Sequence, residues 1–306
     1  MMKSRGKMVT RVRQYLAYRR SLGYVLRAEG QLLLDFGRYA DRTGHRGPLT
    51  LDLALCWARL PTRVNPAYWA RRLQVVRCLA KYLAVFEPRT AIPPHRMLGR
   101  AFLRKVPHIY SSRELARLLQ AARRLPSRCS LRPYTYFTLI GLMACTGLRV
   151  GEAVRLGVDD VNLQAGIITV HRSKLHEARL LPLHPSTVKQ LLRYRRKRQA
   201  HFPKANPFFV SMRGTGLAVK TLEIIFHRLA ASLKGRGSRP HPRLTDLRHT
   251  FSCQVLLKWS RHHRDIDHDL LWLMHYLGHS KIRDTYWYLT GVPELLRRAA
   301  ATFENP

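Results

Sequence analysis

The sequence predicts a mainly α-helical protein with a small antiparallel β-sheet, built as two domains. Three observations predict it. Apolar residues recur at helical spacing through most of the 306 residues. Two short β-rich runs, residues 167–172 and 178–183, flank a polar turn in the pattern of a hairpin. A stretch with four prolines, Pro88, Pro93, Pro94 and Pro107, and no clear period separates two helical regions. The boundaries read 1–87 for an N-terminal helical domain, 88–108 for a linker and 109–306 for a second domain.

The first domain reads as four helices. Residues 9–22 form one, stopped by Gly23. Residues 25–39 form a second, with Leu26, Leu33 and Phe36 on its apolar face. Gly44, Gly47 and Pro48 break the chain, and Thr50 caps a third helix over 51–60. Asn65-Pro66 opens a fourth that runs to about residue 85, with proline in its first turn. In the second domain Ser111 and Glu114 have capping-box spacing, ahead of a helix that buries Leu115, Leu118, Leu119 and Ala122. Residues 133–144 form an apolar core helix, and residues 146–153 a glycine-bounded turn into a short helix. Pro185 opens a long basic helix ending near Arg198. A short strand is expected at 208–211, and helices at 220–233 and 244–258. Residues 261–269 are a polar, His-rich connection, and 270–277 a short helix before Gly278. Residues 293–303 form an amphipathic tail helix, which docks either on its own domain or on a neighbouring subunit.

Composition points to the partner. Lys plus Arg outnumber Asp plus Glu by 55 to 18, a formal net charge of +37. A small acidic substrate does not call for that excess; a nucleic acid does. A hydrophobic fraction of 46%, spread along the chain, argues against a disordered basic tail. The candidates for phosphate contact are Arg71, Arg72, Arg77 and Lys81 on the fourth helix, and Arg100, Arg104 and Lys105 in the linker. Any one of the helix residues alone reads better as part of a solvated face, but as a set in a chain this basic they read as phosphate contacts. Five cysteines with no CxxC pair suit a reduced, cytoplasmic protein without a disulfide frame or zinc site. No apolar run approaches a membrane span, and no signal-peptide core follows the basic start.

Three stretches carry chemistry: TGLRVGEAVRL around Arg149, RLTDLRHTF around Arg248, and LGHSKIRDTYWYL with His279 and Tyr288. Cutting a phosphodiester without a metal needs a nucleophile and fixed cationic donors for the non-bridging oxygens. It also needs an acid for the leaving oxygen. Arginine suits the second role because its planar fork holds two oxygens and keeps its charge. Two arginines, the hairpin-turn Lys174, His279 and Tyr288 meet the list. His262, His263, Asp265, Asp267 and His268 lack the spacing of a metal site and read as a solvated loop.

These motifs, in this order, resemble the tyrosine recombinases of the phage integrase family over essentially the whole chain. The resemblance implies a helical core-binding domain and a catalytic domain that close as a C-shaped clamp on duplex DNA. Arg149 matches the first arginine, and Glu152 a residue that supports the site. Lys174 matches the lysine that acts as general acid, and Arg172 is the nearby alternative. Arg248 matches the second arginine, followed by His249 as a structural helix residue. His279 matches the histidine that hydrogen-bonds the scissile phosphate. Tyr288 matches the nucleophile by its position nine residues after His279, with Tyr286 as a rival. The implied reaction cuts and rejoins DNA through a 3′-phosphotyrosyl link, with no metal, cofactor or ATP. The implied role is integration, excision or transposition of a mobile element, with resolution of replicon dimers second. The implied partners are specific double-stranded DNA sites, three further copies of the chain in a tetramer, and sister recombinases of the same element. The implied location is the bacterial cytoplasm, at the nucleoid.

One position departs from the family pattern. Thr245 stands where the second box usually has histidine, three residues before Arg248. A threonine donates a hydrogen bond but does not titrate near neutral pH. Three readings stay open. Thr245 serves as a plain donor while Lys174 and His279 do the acid–base work; His241 or His249 compensates; or the chain binds DNA and cuts it poorly or not at all. Type IB topoisomerase-like relaxation shares the chemistry and is a further alternative.

Overall fold

The computed structural model describes residues 7–102, 105–127, 131–171, 178–231, 233, 242–261 and 266–290. The chain divides into two compact units, Met1–Arg104 and Lys105–Pro306. Helices dominate both, and no helix among the described residues is long and apolar enough to cross a membrane.

The first unit holds α1 (Met8–Ser21), α2 (Arg27–Arg42), α3 (Leu51–Arg59) and α4 (Pro66–Leu83). Local chemistry sets their starts. The Thr50 hydroxyl accepts from the Leu53 N–H, and the Asn65 side chain accepts from the Ala67 N–H. Helix α2 begins two residues later than its apolar pattern suggests, because Leu26 takes a left-handed conformation (φ 46°) at the N-cap. Val12, Leu33, Phe36, Ala54, Trp57, Val76 and Leu79 form a dry core. Residues 88–102, read above as a linker, pack on this unit. Ala91 N–H donates to the Leu49 carbonyl, Arg77 donates to the Pro93 carbonyl, and Leu98 lies against the core.

The second unit begins with α5 (Ser112–Arg123), whose Ser111–Glu114 capping box is complete. It continues with α6 (Leu131–Thr146) and α7 (Val150–Arg155). The sheet follows: β1 (Val161–Asn162), β2 (Ile167–His171) and β3 (Ala178–Pro182), antiparallel in the order β1-β2-β3. Ile168 pairs with Leu181, and Val170 with Arg179. Ile168, Val170 and Leu181 are buried, as the alternation of a half-buried sheet requires. Then come α8 (Pro185–His201), α9 (Val219–Ala231), α10 (Asp246–Arg261), α11 (Ile266–Leu277) and α12 (Arg283–Thr290).

Three local expectations are corrected. Residues 208–211 are not a strand: an isolated bridge, Pro207 to Gly157, precedes them, and a second, Val210 to Gly216, falls within them. Phe208 and Phe209 are both fully buried, which strand alternation does not allow on a one-sided sheet. Strand β1 escaped notice because two residues carry no period. The polar connection before residue 270 is shorter than its composition suggests: α10 runs to Arg261 and α11 starts at Ile266. Polar residues there are helical, with His268 outward and Asp269 buried. The turn 172–177, which contains Lys174 and Arg172, lies outside the described residues. So do Arg104, His241, His262, His263, Asp265 and the tail 293–303.

Candidate active site

The site is built around the C-terminal end of α11. Gly278 takes a left-handed conformation (φ 67°). The Gly278 N–H donates to the His275 carbonyl, and the His279 N–H reaches back to the Met274 carbonyl. This is a Schellman termination, and it consumes the carbonyls of residues 274 and 275. The next three carbonyls, those of Tyr276, Leu277 and Gly278, remain at the negative end of the helix dipole.

Each of these carbonyls is taken by a different arginine. Arg179 of β3 donates Nε–H to the Tyr276 carbonyl (2.8 Å). Arg248 of α10 donates Nη2–H to the Leu277 carbonyl (2.7 Å). Arg149, at the N-cap of α7, donates Nη2–H to the Gly278 carbonyl (2.9 Å). Arg248 also donates Nη1–H to the Gly147 carbonyl (2.9 Å), tying the first and second boxes together. Gly147 is obligatory in this arrangement. Its φ is 64°, and a Cβ there would meet Phe251 Cδ1 at 2.6 Å and Leu277 Cδ2 at 3.2 Å.

Glu152 sits beneath the arginines. Its carboxylate accepts from the Arg149 backbone N–H (2.9 Å) and from Arg149 Nη1 (2.9 Å). It also accepts both Nη groups of Arg179 (3.1 and 2.8 Å). Burial alone would raise its pKa, but the Arg179 and Arg149 contacts outweigh it and bring the carboxyl to about 2. Arg149 keeps 43% of its side-chain surface exposed, whereas Arg179 keeps 11%. Of this pair, Arg149 presents donors to solvent.

His279 lies within the same network. Arg248 Nη2 stands 2.8 Å from His279 Nε2, and His279 Nδ1 stands 2.9 Å from Thr285 Oγ1 of α12. A guanidinium can only donate, so Nε2 accepts, and the neutral ring carries its proton on Nδ1 toward Thr285. Burial, then the positive charges of Arg248 and Arg149, push the imidazole pKa down to about 4.

Tyr288 is on α12, 5% exposed. Its ring stacks on His279 (centroids 5.8 Å, planes 20° apart) and meets His249 edge-on (5.2 Å, 64°). Burial lowers the Arg248 pKa, and electrostatic coupling to Tyr288 acts in the opposite direction. The structure therefore brings Arg149, Glu152, Arg248, His249, His279 and Tyr288 together. Tyr286, the rival tyrosine, is 42% exposed on the same helix and has no part in this network. Thr245 is exposed in the turn that precedes α10. His249 Nδ1 is buried and has no hydrogen-bond partner among the described residues, and burial lowers the ring's pKa.

The basic residues of the first unit divide. Lys81 and Arg100 are exposed, as is Lys105 at the start of the second unit. Arg71 is half-buried, 3.4 Å from Glu29 and over the Phe102 ring. Arg72 is corrected as a phosphate ligand. It is 8% exposed, its guanidinium lies 3.7 Å from the Trp57 ring centroid, and Nη2 donates to the Trp57 carbonyl (2.7 Å). Arg77 is committed to the Pro93 carbonyl. Arg179 was missed in the sequence because an arginine in a short strand has no local signal of a carboxylate 27 residues away.

Guanidinium donors, a neutral imidazole and a tyrosine on a helical scaffold with a small sheet define a phosphodiester-handling protein. The chain belongs to the phage integrase family, whose family model matches residues 110–292. This is the class of tyrosine recombinases, enzymes that cut and rejoin DNA at specific sites. The chain is 40% identical over 304 residues, 96% of each chain, to a protein of Sinorhizobium fredii designated integrase/recombinase y4rB. It is 31% identical over 238 residues to the tyrosine recombinase XerD of Pseudomonas putida, covering 76% of this chain and 74% of XerD. Two solved structures share the fold. One is the Tn1549 transposon integrase in complex with transposon right end DNA (TM-score 0.71, 15% identity, covering 96% and 98% of the two chains). The other is the XerH recombinase bound to its difH substrate (TM-score 0.67, 19% identity, covering 97% and 85%).

Proposed function

We propose that this chain is a site-specific DNA recombinase with Tyr288 as nucleophile, acting in integration, excision or transposition of a mobile element. The Tyr288 oxygen attacks the scissile phosphorus, and its proton passes to water. The bond from phosphorus to the 5′-oxygen breaks, leaving a 3′-phosphotyrosyl link. Arg149 and Arg248 stabilise charge on the non-bridging oxygens. Arg248 has five N–H donors, more than its contacts with Gly147, Leu277 and His279 require. Lys174 protonates the leaving 5′-oxygen, and Thr245 supplies one hydrogen bond in place of the usual histidine. A partner-strand hydroxyl reverses the step, so the bond energy is conserved and no ATP is consumed. The protein works as a tetramer on specific duplex sites in the bacterial cytoplasm.

The observation that carries this reading is the network in which Arg248 bonds the Gly147 carbonyl, the Leu277 carbonyl and His279, while His279 stacks on Tyr288. The 40% identical relative designated integrase/recombinase supports the mobile-element role. The test uses duplexes selected by binding from a randomised pool and nicked so that the cleaved fragment diffuses away. Wild type should form a covalent protein–DNA adduct, and Tyr288→Phe should bind equally and form none. An adduct with Tyr288→Phe overturns the nucleophile. Binding with no adduct in wild type favours a second reading that rests on Thr245, a DNA-binding relative that does not cut.

A further inference from the structure

We propose that Arg179 is a positioning residue of the cleavage site: it holds Glu152, and through it Arg149, in register with the end of α11. The inference rests on the reading of Arg149 as a phosphate clamp and adds a residue outside the three boxes around Arg149, Arg248 and His279. Three observations carry it. Arg179 spends all three of its nitrogens on protein, Nε on the Tyr276 carbonyl and both Nη on Glu152. Its side chain is 11% exposed, so it is not placed to meet a phosphate itself. The carboxylate it holds also bonds the Arg149 guanidinium and the Arg149 backbone N–H.

The geometry explains why a second arginine is used. Without Arg179, Glu152 would keep its capping bond from the Arg149 backbone N–H, and its other oxygen would be held only by an Arg149 side chain that is 43% exposed. A bidentate fork from β3 fixes both carboxylate oxygens in one plane. The same guanidinium fixes the carbonyl one residue before the carbonyl that Arg248 holds and two before the one Arg149 holds. One side chain thus links the hairpin strand, the first arginine box and the segment leading to His279. The order of contacts is Tyr276 carbonyl, Arg179, Glu152, Arg149, Gly278 carbonyl, a closed loop around the helix end.

The test measures single-turnover adduct formation on the nicked duplex, DNA affinity and thermal stability for R179Q, R179K, E152Q and the double variant R179Q/E152Q. R149A is the control for the underlying reading: an R149A protein that forms adduct at the wild-type rate removes Arg149 as a clamp, whatever Arg179 does. With that control intact, R179Q should lower the adduct rate by about 100-fold, the scale of a misplaced catalytic group, with DNA affinity unchanged. R179K, which retains the charge but not the fork, should recover only a minor part. The loss caused by R179Q should shrink in the E152Q background, because the two act through one contact. The acid limb of the adduct rate in R179Q should also move to higher pH, since Glu152 loses the larger of the contacts that hold it at about 2. A wild-type rate in folded R179Q overturns the proposal. So does a fall in DNA affinity that matches the fall in rate, or additive effects of R179Q and E152Q.

Discussion

A histidine that accepts from a guanidinium is a histidine kept neutral, and His279 is held that way by burial first and then by Arg248 and Arg149. The consequence for stability has a definite sign. The folded pKa is about 4, below the ordinary 6.5. Above pH 6.5 the ring is neutral in both folded and unfolded chains, and its contribution is fully present. As pH falls from 6.5 toward 4, the unfolded chain takes up a proton that the folded chain refuses, so stability is lost across that window. Glu152 also loses stability on acidification, but lower, between its ordinary 4.5 and about 2. Thermal melting across pH 6.5 to 4 should show a falling Tm in wild type and a shallower fall in His279→Gln. Parallel curves for the two proteins would show that His279 titrates normally.

Helix α4 shows how one element separates basic residues that look alike in sequence. Arg72 faces inward and is packed on Trp57, while Lys81 faces solvent. Replacing Arg72 by alanine removes a hydrogen bond from a charged donor and a buried cation–π contact. It should destabilise the first unit by about 2 kcal/mol and leave the salt dependence of DNA binding unchanged. Lys81→Ala should do the reverse, leaving the denaturant midpoint in place and reducing the salt slope by roughly 1. Urea melts and salt-dependent binding isotherms on both variants separate the two roles. An Arg72→Ala protein that melts like wild type but binds DNA with a reduced slope would return Arg72 to the DNA interface.

At the scale of the whole molecule, a net charge of +37 on 306 residues sets the association physics. Each phosphate neutralised releases condensed counterions, so affinity should fall steeply with salt. Binding to duplex DNA should weaken by roughly a thousandfold or more between about 50 and 200 mM salt. A loss of less than about tenfold over that range would mean that few of the basic residues meet phosphates.

The mainly helical class, the antiparallel hairpin and the three boxes were legible because each depends on near neighbours. Apolar period, the Ser111–Glu114 cap and the glycines at 147 and 278 act within a turn or two of chain. Their order then identified the family, and with it the candidates Arg149, Arg248, His279 and Tyr288, which the fold brings into one network. Burial and pairing were not legible. The sequence does not distinguish buried Arg72 from exposed Lys81, or reveal that Arg179 reaches a carbonyl 97 residues away and Arg149 one 129 residues away. By itself the sequence determined the candidate side chains of the three boxes and which local turns present them. Only the tertiary structure decided which arginine holds which carbonyl, which ring stacks on Tyr288 and which nitrogen of His279 carries its proton. Those depend on atoms brought together by packing, and hydrogen bonds form over about 3 Å of space however long the chain between them.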